Sequence, residues 1–84
     1  MYWDIKKAIY KNHLNIEIEF VDGLKGEVVF KEDNLRGVFE PLKNDDEFKS
    51  FFIGNGNTLV WKCGVDVAPD RLHYDIKTNG ICII

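Results

Sequence analysis

Leu14-Asn15-Ile16-Glu17-Ile18-Glu19-Phe20, followed at once by Val21-Asp22-Gly23, is the stretch that decides the fold. Apolar residues fall on every second position with polar residues between them, the period of a strand with one face buried and one in water. A helix is excluded, because at about 100° per residue the four apolar side chains would scatter around its axis. Asp22-Gly23 then predicts a hairpin, and its loop length follows from what each choice would bury. A two-residue loop sets Phe20 opposite Lys25 and puts Lys25 and Glu27 on the apolar face. A three-residue loop, Val21-Asp22-Gly23, sets Phe20 against Leu24, Ile18 against Gly26, Ile16 against Val28 and Leu14 against Phe30, so the apolar sets coincide. Gly23 then takes the left-handed position of the turn, where a side chain is penalised.

Upstream, Trp3 to Tyr10 carries Trp3, Ile5 and Ile9 and reads as a first strand, closed by the polar break Lys11-Asn12-His13. Downstream, Lys31 to Gly37 is a connector. Val38, Phe39 and Leu42 flank Pro41, whose ring biases Glu40 towards extended geometry and predicts a fixed arch laid on the sheet. Asn44 or Asp45 can cap a short helix near Asp45 to Phe51, with acids in its first turn and Phe48 and Phe51 or Phe52 facing inward. Phe52-Ile53 and Thr58 to Trp61 flank Gly54-Asn55-Gly56-Asn57 and predict a second hairpin. Pro69 is placed to open a second helix, with Ala68 or Asp66 at its cap and Leu72 and Ile76 inward, running to about Ile76 or Lys77. Thr78-Asn79-Gly80 ends it. The apolar tail Ile81-Cys82-Ile83-Ile84 either adds a strand to the sheet or packs against a second molecule.

These elements predict an α+β fold: a single small domain over residues 1–84, with an antiparallel sheet of four to five strands, two hairpins among them, and one or two short helices packed on one face. Its expected core is Leu14, Ile16, Ile18, Phe20, Val28, Phe30, Phe39, Leu42, Phe48, Leu59, Trp61, Leu72 and Ile76. Eleven aromatic residues among 84 supply enough bulk to fill such a core without metal or disulfide.

Eleven basic and 14 acidic residues leave a net charge of -3, and the lysines are scattered, so the footprint of a phosphate-backbone binder is missing and nucleic acid is disfavoured. Met1-Tyr2-Trp3-Asp4 leads straight into the first strand with neither a basic leader nor a long apolar run, which predicts a cytoplasmic protein without membrane contact. Cys63 and Cys82 then read as reduced thiols that pack.

His13, His73, Cys63 and Cys82 contain no close pair that would pre-form half a metal site; they read as a turn histidine, a helix-surface histidine and two packing thiols. Cys63 and His73 lack a partner that would orient the base of a nucleophilic pair. Asp45-Asp46-Glu47 is explained by the start of a helix, and Asp66 and Asp70 on either side of Pro69 by capping. Gly54-Asn55-Gly56-Asn57 has neither the lysine nor the helix start of a phosphate loop. No catalytic residue, metal or cofactor is therefore expected. Amphipathic aromatic residues are favoured at interfaces. Trp3, Tyr10, Trp61 and Tyr74, with Asp66 and Asp70, form the candidate interaction surface, and core edges are the competing explanation of the two tryptophans.

Several short pieces taken together carry a resemblance: Trp3-Asp4-Ile5, Phe20-Val21-Asp22-Gly23, Gly37 to Leu42, Asp46 to Phe48, Leu59-Val60-Trp61, Gly64-Val65-Asp66 and Ala68 to Leu72. In this succession the chain resembles, over residues 2 to about 76, the small bacterial family called domain of unknown function twenty-four forty-two. The resemblance implies a small α+β domain, sometimes fused to a helix-turn-helix and often encoded beside another small protein in an arrangement suggestive of a toxin and antitoxin pair. It implies no catalytic residues. This chain departs from the pattern in lacking a helix-turn-helix stretch and in the tail Thr78 to Ile84. The function expected is a protein-interaction module, with a protein partner or a second copy, as the antitoxin-like or accessory member of a two-gene pair. A DNA-associated regulatory domain and a purely structural monomer are the alternatives.

Overall fold

The alternating stretch forms strand β2 (Asn15–Phe20) between β1 (Ile5–Asn12) and β3 (Lys25–Val29), both antiparallel to it, in a computed structural model that describes Met1–Ile84. The hairpin has the predicted three-residue loop: Ile16 faces Val28, Ile18 faces Gly26, and Phe20 and Leu24 close the turn through Phe20 N–H to Leu24 C=O at 2.8 Å. Gly23 sits at φ +93°. Leu14, just ahead of β2, has φ +66°, a conformation that costs a residue with a side chain roughly 1 kcal/mol or more. Burial of that side chain offsets the cost: Leu14 joins Ile16, Ile18 and Phe20 in the core.

β1 holds a correction to simple alternation. Its pairing with β2 shifts between Ile5 and Lys7 and again between Tyr10 and Asn12, so Ile5, Ala8 and Tyr10 share the inner face with Phe20, Ile18 and Ile16. Ile9 is turned outward and 44% exposed. An irregularity that inserts one residue reverses which face the following residues occupy.

The tail adds a strand. β6 (Ile81–Ile83) lies parallel to β3, giving the order β1-β2-β3-β6, so three strands of the sheet are antiparallel and the fourth, reached through a helix, is not. That helix, α2 (Pro69–Asn79), buries Leu72, His73 and Ile76 and ends on Gly80 at φ +78°. It presses closely on β3. A Cβ at Gly26 would lie 2.4 Å from Ile76 Cγ2 and 2.9 Å from the Gly80 carbonyl oxygen. Its N-cap is Ala68, with no side-chain cap, so neither Asp66 nor Asp70 caps it; the proline at the first turn already removes one donor that would need one.

Residues 31–68 cross the same inner face. The arch expected around Pro41 is not extended: Gly37–Lys43 winds as a 3-10 helix with Pro41 inside it. A 3-10 turn uses a φ that the proline ring supplies, and the winding carries Leu42 fully into the core while Val38 stays exposed and Phe39 half-buried. α1 (Asp45–Phe48) follows, shorter than expected, capped by Asn44, whose Oδ1 accepts the Glu47 N–H at 3.1 Å. The second hairpin, β4 (Phe52–Ile53) and β5 (Leu59–Val60), forms its own two-stranded sheet. Thr58 donates its hydroxyl to the Val67 carbonyl beside it.

Trp61 centres this half of the core. Its ring lies 5.7 Å from Phe30, 6.1 Å from Phe48 and 6.2 Å from Phe51, and its indole Nε1–H donates to the Phe48 carbonyl at 2.7 Å. The α+β class stands, and of the expected core only Phe39 falls short of full burial. Ile5, Leu35, Val65 and Cys82 complete one contiguous apolar cluster.

Candidate functional site

The site is assembled from three places: the N-terminal segment, the β2–β3 turn and the outer side of α2. Asp4 accepts the Val21 N–H at 3.0 Å, which lays Met1 to Asp4 across the hairpin tip. His73, turned inward from α2 and only 4% exposed, meets that tip: its Nε2 lies 2.8 Å from Asp22 Oδ2. Asp22 is fixed in turn, because its Oδ1 accepts the Leu24 N–H at 3.0 Å within the turn. That backbone bond, and next the contact with His73, hold the Asp22 carboxyl below its ordinary pKa.

Four rings stack edge to face outward from the core. Phe20 meets His73, His73 meets Tyr2 and Tyr2 meets Trp3, each at 4.8 Å between centroids. Such edge-to-face pairs are the favoured aromatic geometry and define ring orientations as well as burying area. His73 also lines a cleft of about 370 Å³. Tyr2, Asp70, Tyr74, Lys77 and Thr78 line the cleft with it. Tyr2 is 58% exposed and Tyr74 68%. The cleft thus offers two phenol rings, one carboxylate, one ammonium group and an imidazole held in place from beneath.

A second polar cluster joins β1 to α1. The Tyr10 hydroxyl donates to Asp45 Oδ1 at 2.8 Å, and His13 Nδ1 lies 2.9 Å from the same oxygen. The bond from Tyr10, reinforced by His13, lowers the Asp45 pKa, and the same bond raises that of Tyr10. Lys49 approaches Asp45 at 3.9 Å.

Of the six residues read as an interaction surface, the structure brings Asp70 and Tyr74 together on one cleft. Trp3, half-buried, packs edge to face on Tyr2 and does not line the cleft. Tyr10 is tied to Asp45 on the other cluster. Asp66 is exposed in a separate groove of about 140 Å³ with Phe39, Ala68, Arg71 and Ile84. Trp61 is 1% exposed and belongs to the core, so it offers nothing to a partner. His73 is likewise corrected, from helix surface to buried, and so is Cys63, which is exposed and not packed. Leu72, His73 and Ile76 form one inward stripe, and that spacing was the signal that could have moved His73 inside; its pairing with Asp22, 51 positions away, left none.

Cys82 is buried and donates to Asp75 Oδ2 at 3.3 Å; burial first, and then the Asp75 carboxylate, push its thiol up to about 12. The two histidines and two cysteines do not converge, and no group of three or more His, Cys, Asp or Glu forms a metal-binding cluster.

No helix is long and apolar enough to cross a membrane. No curated protein and no solved structure matches the chain. A family model described as "Protein of unknown function (DUF2442)" matches residues 5–78, from the first residue of β1 to the last turn of α2. That span includes both hairpins, Trp61 and the His73–Asp22 pair, and on it the chain belongs to the DUF2442 family.

Proposed function

We propose that this domain is a protein-interaction module that receives a protein partner on the Tyr2–Asp70–Tyr74 face. The observation that carries the reading is the pair of tyrosines, 58% and 68% exposed, standing on one cleft over a histidine fixed by Asp22. Tyrosine is favoured at interfaces because it buries a large apolar ring with few rotamers to lose and keeps a polar tip. The resemblance noted from the sequence supports the finer reading, an antitoxin-like or accessory member of a two-gene pair. A net charge of -3 gives a DNA-associated role no comparable support. The reading assigns the cleft no catalysis and no metal.

The test is affinity purification of the tagged chain from its own cells, beside Tyr74→Asp and Val38→Asp. Val38 is 72% exposed and lies outside the cleft. The native chain and Val38→Asp are expected to retain a partner in stoichiometric amount, and Tyr74→Asp to retain about tenfold less, the loss typical of an interface anchor. Equal retention by Tyr74→Asp, or a native chain that comes down alone, overturns the reading.

A further inference from the structure

The two edges of the four-stranded sheet are built differently. β1, at one edge, carries Lys6, Lys7 and Lys11, has two irregularities in its register, and gives its Ile5 N–H to the Asn57 carbonyl at 2.8 Å. Lysines, bulges and covering loops are what keep an edge from pairing with another chain. β6, at the other edge, is Ile81-Cys82-Ile83, with no charge, proline or bulge. Ile84 donates to the Val29 carbonyl and accepts from Lys31 N–H, so both its backbone groups face β3. Backbone groups alternate sides along a strand, and Ile83 therefore turns its N–H and C=O to the open side. Its side chain is 49% exposed.

The geometry points to β6 as a self-association edge, on which a second copy of this chain lays its own β6 antiparallel and joins the two four-stranded sheets into one. The edge is complementary to itself under a two-fold axis: Ile81 of one copy stands opposite Ile83 of the other, and the reverse. α2 lies over β6, with Asp75 in contact with the Cys82 thiol and Arg71 Nε 3.7 Å from Asp75. Antiparallel strands bring the two α2 helices onto the same face of the joined sheet, running in opposite directions. Three residues per strand supply few hydrogen bonds, which makes the dimer reversible and dependent on concentration. Cys82 stays a thiol within it, since its side chain is buried under α2.

Sedimentation of the full chain from about 1 µM to about 1 mM, the range of weak association, tests this. The native mass is expected to rise from 9.8 kDa towards twice that value, with and without reductant. Ile83→Lys, which guards the edge as lysine guards β1, should remain at 9.8 kDa throughout with an unchanged circular dichroism spectrum. Ile83→Thr, which keeps a strand-forming side chain, should weaken association about tenfold and covers the case in which the lysine variant does not fold. Tyr74→Asp should dimerise like the native chain, which separates this edge from the proposed partner face. A native chain that stays monomeric at every concentration overturns the inference, and so does a folded Ile83→Lys that dimerises as tightly as the native protein.

Discussion

Residues 5–29 and residues 31–68 are held by different means. In the first region the backbone decides: each side chain's face follows from a hydrogen-bonded register, and the pairing of Ile16 with Val28 and Ile18 with Gly26 leaves no choice of what is buried. In the second, regular structure is scarce and the rings decide. Two-residue strands, a four-residue helix and the 3-10 helix Gly37–Lys43 are gathered around Trp61, Phe48 and Phe30, with Phe51 at the edge. A ladder is readable one residue at a time, whereas a ring cluster exists only once distant segments have met.

The sharpest way to break the contrast is to remove a ring. Phe48→Ala should cost about 3–5 kcal/mol in urea unfolding, a large share of a small domain's stability, since Phe48 is fully buried and its side chain contacts Phe30, Trp61 and Tyr10. A loss under about 1 kcal/mol would mean that residues 31–68 are held by their turns and not by the rings.

Within the sheet, Gly26→Ala should cost about 1–3 kcal/mol, because the added methyl meets Ile76 and the Gly80 carbonyl and α2 must move away. A neutral result would show that α2 slides freely over β3. Gly23→Val comes next, at about 1 kcal/mol, from conformation alone: nothing lies within 4 Å of the added atom, but φ is +93°. Comparing the two glycines separates crowding from backbone strain inside one hairpin.

The smallest effect is the most diagnostic of how the regions are joined. Asp45 ties α1 to Tyr10 of β1, and Asp22 ties the hairpin tip to His73, and both carboxyls have lowered pKa values in the folded chain. A lowered pKa means that the stability is present above the unfolded value and is lost as pH falls through the folded one, here below about pH 4. Urea midpoints measured from neutral pH downward should therefore fall in acid for the native chain and fall less for Asp45→Asn and Asp22→Asn. Parallel curves for all three would remove these carboxylates from the account.

What could be read from the sequence follows the same division. The hairpin register, the positive φ at Gly23 and the Pro69 start were legible, because each depends on residues close in the chain. The cap was left between Asn44 and Asp45, and α2 runs to Asn79, past the expected end near Ile76 or Lys77, before Gly80 stops it. Ile9 was not, since an irregularity at Lys6 leaves no compositional mark. Pro41 misled because its local effect on Glu40 was overridden by the burial of Leu42, a tertiary gain. At the site, Asp70 and Tyr74 were both among the expected interface residues, though their meeting on one cleft was not read from the sequence, and Tyr2 and Asp22 reach His73 only through the fold. Trp61 as an interface residue was an error of the same origin, for an isolated Leu-Val-Trp does not reveal that three other rings will close over it.

The placement of the two tryptophans gives this molecule two optical reporters, Trp61 inside the ring-held region and Trp3 just ahead of β1, in the segment that Asp4 ties to the hairpin tip. Trp61, sealed among phenylalanines and hydrogen-bonded to a carbonyl, should emit at short wavelength and resist a soluble quencher; Trp3, half-open beside Tyr2, should emit further to the red and be quenched readily. A single unlabelled sample can therefore be followed at two wavelengths through one denaturation. Coincident curves would mean that ladder and rings give way together, and separated curves would time the loosening of one against the other.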